Sequence, residues 1–141
     1  MATNSDINAA VPTGAAALSS ELRANLQAAK DEIEAHGYYL INEGTSLQNL
    51  CTIIGSSNPA TIIVSEAYTL TASTTVTSNI TLEFSNAGKI TLGAYNLTMN
   101  SIPFAPARQI FNQNSTGTVT FGVGSVKEVY PQWFGAVGDG T

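Results

Sequence analysis

Charge is scarce in this chain. Only 11% of its 141 residues are Asp, Glu, Lys or Arg, less than half the roughly 25% of an average soluble domain. Five are basic (Arg23, Lys30, Lys89, Arg108 and Lys127), and they are scattered. No stripe exists that would track a phosphate backbone, which argues against nucleic acid as a partner. One cysteine, Cys51, cannot close an intrachain disulfide, and with one histidine, His36, there is no Cys/His metal cluster. No metal and no cofactor is therefore expected, and Cys51 reads as a buried thiol in an apolar run. No run approaches the 18 apolar residues of a membrane span. The opening "MATNSDINAAVPTGAAALSS" lacks the basic and compact apolar regions of a secretory signal. Synthesis in a cytoplasm is expected, without a membrane partner. Neither Gly-x-Ser-x-Gly nor a phosphate loop occurs, and Gly122-Val123-Gly124 lacks the third glycine of a nucleotide site.

Polarity comes instead from Ser, Thr and Asn, the mark of a solvated β-rich surface. Four stretches follow from the pattern: an extended arm over 1–17, an amphipathic helix over 18–37, a transition segment over 38–60, and a β-rich region over 61–141. The arm is punctuated by Pro12 and Gly14, with Ile7 and Val11 as its larger apolar residues. A segment this polar cannot bury itself and orders, if at all, on a partner.

In the helix, Leu18, Leu22, Leu26, Ala29 and Ile33 recur at spacings of 4, 4, 3 and 4 and form one apolar stripe. Ser19 or Ser20 is the expected N-cap and Gly37 the C′ residue. His36 suits the negative end of the helix dipole better than catalysis. The stripe fits docking on its own domain and a short self-associating seam equally well. The transition segment carries a short helix over 46–54 and breaks at "GSSNP".

From Thr61 the chain reads as strands of three to five residues: 61–65, 68–70, 75–77, 80–84, 89–92, 96–100, 109–111, 119–121 and 126–130. Ile62-Ile63-Val64, Ile80-Thr81-Leu82 and Leu97-Thr98-Met99 align at spacings of 18 and 17, the latter two each preceded by Asn. A period near 20 residues with several short strands per unit predicts a short parallel β-solenoid. An antiparallel β-sandwich is the alternative.

The segments "SNITLEFSNAGKITLGAYNLTMNS" and "GTVTFGVGSVKEVYPQWFGAVGDGT" resemble the opening of the right-handed parallel β-helix of the pectate-lyase-like family, as in phage tailspikes and related polysaccharide depolymerases. The resemblance covers about residues 60–141, and Trp-Phe-Gly-Ala-x-Gly-Asp-Gly is its specific part. "DINAAVP" followed by "LRANLQAAKDEIEA" is more weakly similar to the start of virion appendage proteins. The resemblance implies a virion structural protein in the phage tail: an N-terminal attachment and adaptor module leading to a receptor-binding β-helix, in a homotrimer. Its partners would be other virion proteins (tail, or portal and adaptor) and copies of itself. Ile7, Val11, Leu18, Leu22, Leu26 and Ile33 would anchor or self-associate. Trp133, Phe134, Gly135, Gly138 and Asp139 would cap the opening of the β-helix, with Trp133 and Phe134 plugging its first coil.

The family's catalytic carboxylates lie beyond the Gly-Asp-Gly turn, so no catalytic residue transfers and no enzymatic activity is expected of this chain. Contact with host polysaccharide would fall to chain beyond Thr141. Two further readings stand beside this one: a capsid decoration or head-fibre protein, and a fragment of a depolymerase. Within the chain a glycosidase would need two carboxyl groups facing each other across a sugar. The residues spaced for it are Glu66 and Glu83, 17 apart, which could stack on adjacent coils as a solvated face. Tyr95, Phe104, Phe111, Phe121, Trp133 and Phe134 are expected in the core rather than as sugar platforms.

Overall fold

A computed structural model describes residues 15–41 (side chains from Ser20 onward), 45–85 and 87–138. The chain divides into two compact units, Met1–Tyr38 and Tyr39–Thr141.

The described part of the first unit is one helix, α1 (Ala15–Ala35). It starts earlier than expected. Ala15 to Ala17, assigned above to the arm, are helical, and Ser19 and Ser20 lie inside the helix instead of capping it. Three consecutive alanines, the best helix formers, carry the turn past the serines. The far end matches expectation: Gly37 adopts φ 80°, and its N–H donates to the Glu34 carbonyl (2.9 Å). On the outer surface Lys30 pairs with Glu34, and Gln27 donates to Asp31 (2.6 Å), both at i,i+4.

The second unit is a parallel β-solenoid, so the sandwich alternative falls. Strand β1 (Tyr38–Leu40) precedes helix α2 (Leu47–Ile54). The first full coil is β2 (Ala60–Val64), β3 (Ala67–Thr69) and β4 (Thr74–Val76). The second is β5 (Ile80–Phe84), β6 (Lys89–Thr91) and β7 (Leu97–Met99). The third carries a bridge at Phe104, then β8 (Phe111–Asn112) and β9 (Val119–Phe121). These stack as three sheets ordered β1-β2-β5, β3-β6-β8 and β4-β7-β9. Ala60 lies beside Ile80, Ala67 beside Lys89 and Thr74 beside Leu97, so a coil advances the chain by 20 to 23 residues.

That register corrects the repeat read from sequence. Ile62 pairs with Leu82, not with Ile80, and Leu97–Met99 stacks on β4 and β9, in a different sheet from β5. The same apolar-Thr-apolar pattern recurs because every wall of the coil needs inward aliphatics and tolerates outward Thr. Segment 126–130 is not a strand, and Val129 and Tyr130 are exposed.

The core is a set of inward columns. Ile62 and Leu82 stack along one wall, Ile90 and Phe111 along the next, and Val76 and Met99 along the third; all are buried. At the corners, where strand ladders lapse, asparagines carry bonds from coil to coil. Asn96 Oδ1 accepts from the Thr118 N–H (3.1 Å) and hydroxyl (3.0 Å), and Asn114 Oδ1 accepts from the Gly93 N–H (3.1 Å). Asn79 Nδ2 donates to the carbonyls of Gly55 and Asn58 (3.0 and 2.7 Å). Asn79 and Asn96 are the two residues that precede the aligned segments in the sequence. Gly88 sits where the chain passes so close to the previous coil that a Cβ would fall 1.8 Å from the Val64 carbonyl oxygen.

Leu97→Ala, at a fully buried position of the middle coil, is expected to lower unfolding free energy by about 2–5 kcal/mol. Thr75→Ala, on the solvent side of β4, should stay within about 0.5 kcal/mol. Denaturant titration of the two variants checks the assignment of inward and outward positions.

Candidate functional site

Three features of the described residues are candidates for function: the stripe on α1, the coil between β9 and the C-terminal segment, and the hollows on the solenoid wall.

On α1, Leu22, Leu26 and Ile33 are each more than half exposed, so among the described residues of its unit nothing covers this part of the stripe. Ile7 and Val11 lie outside the described residues, as does the Leu18 side chain.

At the other end of the chain a 3-10 helix, Pro131–Phe134, carries Trp133 and Phe134 onto the third coil. Pro131 suits its first position, because the missing N–H would be unpaired there anyway. The Trp133 carbonyl accepts from the Ile110 N–H (3.1 Å), one step beyond the Ile90-to-Ile110 bond of the same wall. The indole Nε1 donates to the Pro106 carbonyl (3.2 Å). Trp133 is 2% exposed. Around it the rings interlock: Phe84–Phe111 at 5.7 Å, Phe111–Phe134 at 5.6 Å, Phe121–Trp133 at 6.5 Å and Tyr130–Trp133 at 5.2 Å. Each such pair adds about 0.5–1.5 kcal/mol beyond burial. Gly135 ends the turn with φ 91°. Gly138 is exposed, and Asp139 lies outside the described residues. Of the five expected cap residues the structure thus gathers Trp133, Phe134 and Gly135, and it seats them on the solenoid's own third coil.

Two expectations about aromatics and acids fail. Phe104 and Tyr95, expected in the core, are exposed. Phe104 falls in the outward phase of its strand, while its neighbour Pro103 points in and is buried. Glu66 and Glu83 do not stack. Glu83 pairs with Ile63 and bridges to Phe104, whereas Glu66 lies beyond the end of β2 and its carbonyl accepts from the Lys89 N–H (3.2 Å). The 17-residue spacing falls short of the true coil length, so the two carboxylates sit at different places around the coil.

The hollows are modest. One of about 210 Å³ is lined by Ile41, Val64, Glu66 and Tyr68, and one of about 300 Å³ by Gln48, Cys51, Thr52 and Thr74. The titratable side chains lining them are Glu66 and Tyr68 in the first and Cys51 in the second. Among the described residues no three His, Cys, Asp or Glu groups converge on a possible metal position, and no helix is long and apolar enough to cross a membrane. Cys51 is a free thiol on α2, half-buried rather than fully so. Burial pushes it from 9.0 up to about 11, because a desolvated thiolate is disfavoured.

Trp133→Ala should cost about 3–5 kcal/mol, read by thermal unfolding, and the emission of this sole Trp should shift to longer wavelength on unfolding. Raising the thiol's ionisation to about 11 predicts that native Cys51 reacts about 100-fold more slowly with a disulfide reagent than the unfolded chain at pH 8. The raised folded value stabilises the fold fully below pH 9 and is lost as pH climbs toward 11, so stability should decline across that window in wild type and not in Cys51→Ala. Compared with protein-family models, curated proteins and solved structures, the chain matches none.

Proposed function

We propose that this chain is a structural virion protein, the N-terminal attachment and adaptor module of a phage tailspike or tail fibre that leads into a receptor-binding β-helix. The observation that carries the reading is the combination of a helix with an uncovered apolar stripe, Leu22, Leu26 and Ile33, and a three-coil parallel β-solenoid in one chain. The similarity of "SNITLEFSNAGKITLGAYNLTMNS" and "GTVTFGVGSVKEVYPQWFGAVGDGT" to the opening of pectate-lyase-like β-helices supports it. A solenoid is a stiff strut, since each coil is hydrogen-bonded to the next. The stripe suits a short seam between copies, and the homotrimer gives a multivalent grip on the particle. Three weak arms acting together bind far more tightly than one, because the second and third contacts form at high effective concentration. The polar arm with Ile7 and Val11 is the segment that engages a tail, portal or adaptor protein. The role is mechanical and not catalytic.

Deleting residues 1–14 spares α1. The expected product is a folded protein, with unchanged circular dichroism and melting, that no longer joins particles. Normal occupancy of the deletion variant on purified particles would overturn the attachment role. For the seam, Leu22→Ser with Leu26→Ser should weaken self-association at least tenfold in sedimentation, with helicity retained.

A further inference from the structure

Two walls of the solenoid show threonine columns to solvent, Thr75–Thr98–Thr120 on β4-β7-β9 and Thr69–Thr91, followed by Asn112, on β3-β6-β8. These side chains dress the faces of the sheets, whereas the sheet edges present backbone. β4 is the outermost strand of its sheet. The Thr74 N–H donates to the Asn96 carbonyl, and the Val76 carbonyl accepts from the Asn100 N–H (both 2.9 Å). Thr74 and Val76 thus face β7. Thr75, between them, turns its N–H and C=O the other way, where no strand among the described residues meets them. Helix α2 packs on β4. A hollow of about 300 Å³ is left between them, lined by Gln48, Cys51 and Thr52 of α2 and by Ser73, Thr74 and Thr75. Most polar side chains in it are already engaged. The Thr52 hydroxyl donates to the Gln48 carbonyl (2.9 Å), the Thr74 hydroxyl donates to the Ala72 carbonyl (3.0 Å), and Ser73 Oγ accepts from the Asn96 N–H (3.1 Å). Left over are the Thr75 peptide edge and the Gln48 carboxamide, each a donor beside an acceptor.

We infer that this hollow is a docking slot for an extended segment of a different protein, which adds to the free edge of β4 as one further strand. Backbone N–H and C=O groups are strong hydrogen-bonding groups, and the natural complement of an unpaired pair on an edge strand is the backbone of another strand. The Gln48 carboxamide, on the α2 side of the slot, offers the same two kinds of group to the segment's other edge. The volume lies at the lower end of binding pockets. It admits a few small residues and excludes a helix, which is about 10 Å across. No lining residue is Asp, Glu, Lys, Arg or His, so a charged side chain entering the slot would lose water without gaining a partner. The occupant is therefore neutral, with residues such as Gly, Ala, Ser or Thr in the slot. A second solenoid does not fit this place. It would bring a whole coil end against the first coil, where Leu47, Leu50 and Ile54 of α2 already enter the core. The slot lies apart from the arm and α1, so it goes beyond the attachment role proposed above.

The test titrates isotope-labelled full-length chain with a pool of terminally blocked hexapeptides of random Gly, Ala, Ser and Thr sequence at millimolar concentration. The amide signals of Ser73, Thr74 and Thr75 are expected to move. The same pool with every peptide nitrogen methylated, which cannot donate, should leave them in place. Gln48→Ala and Thr75→Pro, read on Ser73 and Thr74, should each weaken binding about tenfold with unchanged circular dichroism. Proline is tolerated at an edge position whose N–H faces away from the ladder. A pool that leaves these signals in place, or a methylated pool that moves them equally, overturns the slot. Binding by both variants as tight as that of the wild type overturns the roles given to the Thr75 edge and to Gln48. Movement confined to Val119 and Phe121 overturns the slot and places strand addition on β9. Self-association through α1 is read separately, by sedimentation of the α1 variants, and stands or falls without the slot.

Discussion

Every strand of the solenoid depends on hydrogen bonds to a neighbouring coil, and the middle strands β6 and β7 are bonded on both sides. A three-residue strand such as β3 or β7 has no stability of its own. Its N–H and C=O groups are satisfied because the chain returns 20 to 23 residues later at the same angular position, as Thr74 to Leu97 and Leu97 to Val119. The return also stacks inward side chains in columns, so hydrogen bonding and apolar burial enforce one register. Slipping a single residue would turn Ile62 and Leu82 outward and Ile63 and Glu83 inward. The asparagines at the corners extend the same coupling around the bends, beside backbone bonds such as that from the Gly117 N–H to the Gly93 carbonyl (2.9 Å).

An arrangement that satisfies each coil by its neighbours leaves its two ends unsatisfied. At the first coil α2 supplies the cover. Ser46 caps it by accepting from the Asn49 N–H (3.2 Å), Tyr68 Oη accepts from the Leu47 N–H (3.0 Å), and Leu47, Leu50 and Ile54 enter the common core. Gly55 then ends the helix at φ 70°. At the third coil the cover is aromatic. Trp133 extends the Ile90–Ile110 ladder by one bond and packs on Phe121, while Phe134 packs on Phe111. The two covers differ in kind: a helix hides strand edges by bulk, whereas the 3-10 turn continues the ladder and hides its side chains beneath rings.

Much of the fold was legible because the physics is local. Alternation marked most of the strands, and Ser46 and Gly55 marked α2. What escaped was phase around the coil. Thr at the middle of Ile80-Thr81-Leu82 and of Leu97-Thr98-Met99 made two different walls look equivalent, so the period came out at 17 to 18. The same error stacked Glu66 on Glu83. Phe104 was assigned to the core by its size, although the neighbouring Pro103 takes the inward place. Wall identity depends on corner lengths, and corners such as Ser101 to Gln109 carry no periodicity to count. For the site, the α1 stripe and Trp133–Phe134 could be found in advance. The placing of Phe104 beside Glu83 could not, because the two lie in different coils and become neighbours only once the register is known.

Low charge gives these walls their meaning. A solenoid with charged outer columns would resist lateral association on every side, since stacked like charges at strand spacing repel. Threonine columns are neutral but well hydrated, so they keep two walls soluble without strong repulsion. Against that background the outward side of the β1-β2-β5 wall differs, with Ile63, Glu83 and Phe104 stacked in register. In this way the scarcity of charged residues and the repetition of the coil belong to one physical scheme, in which the stack is held by bonds along its axis and little charge repulsion builds up on its walls.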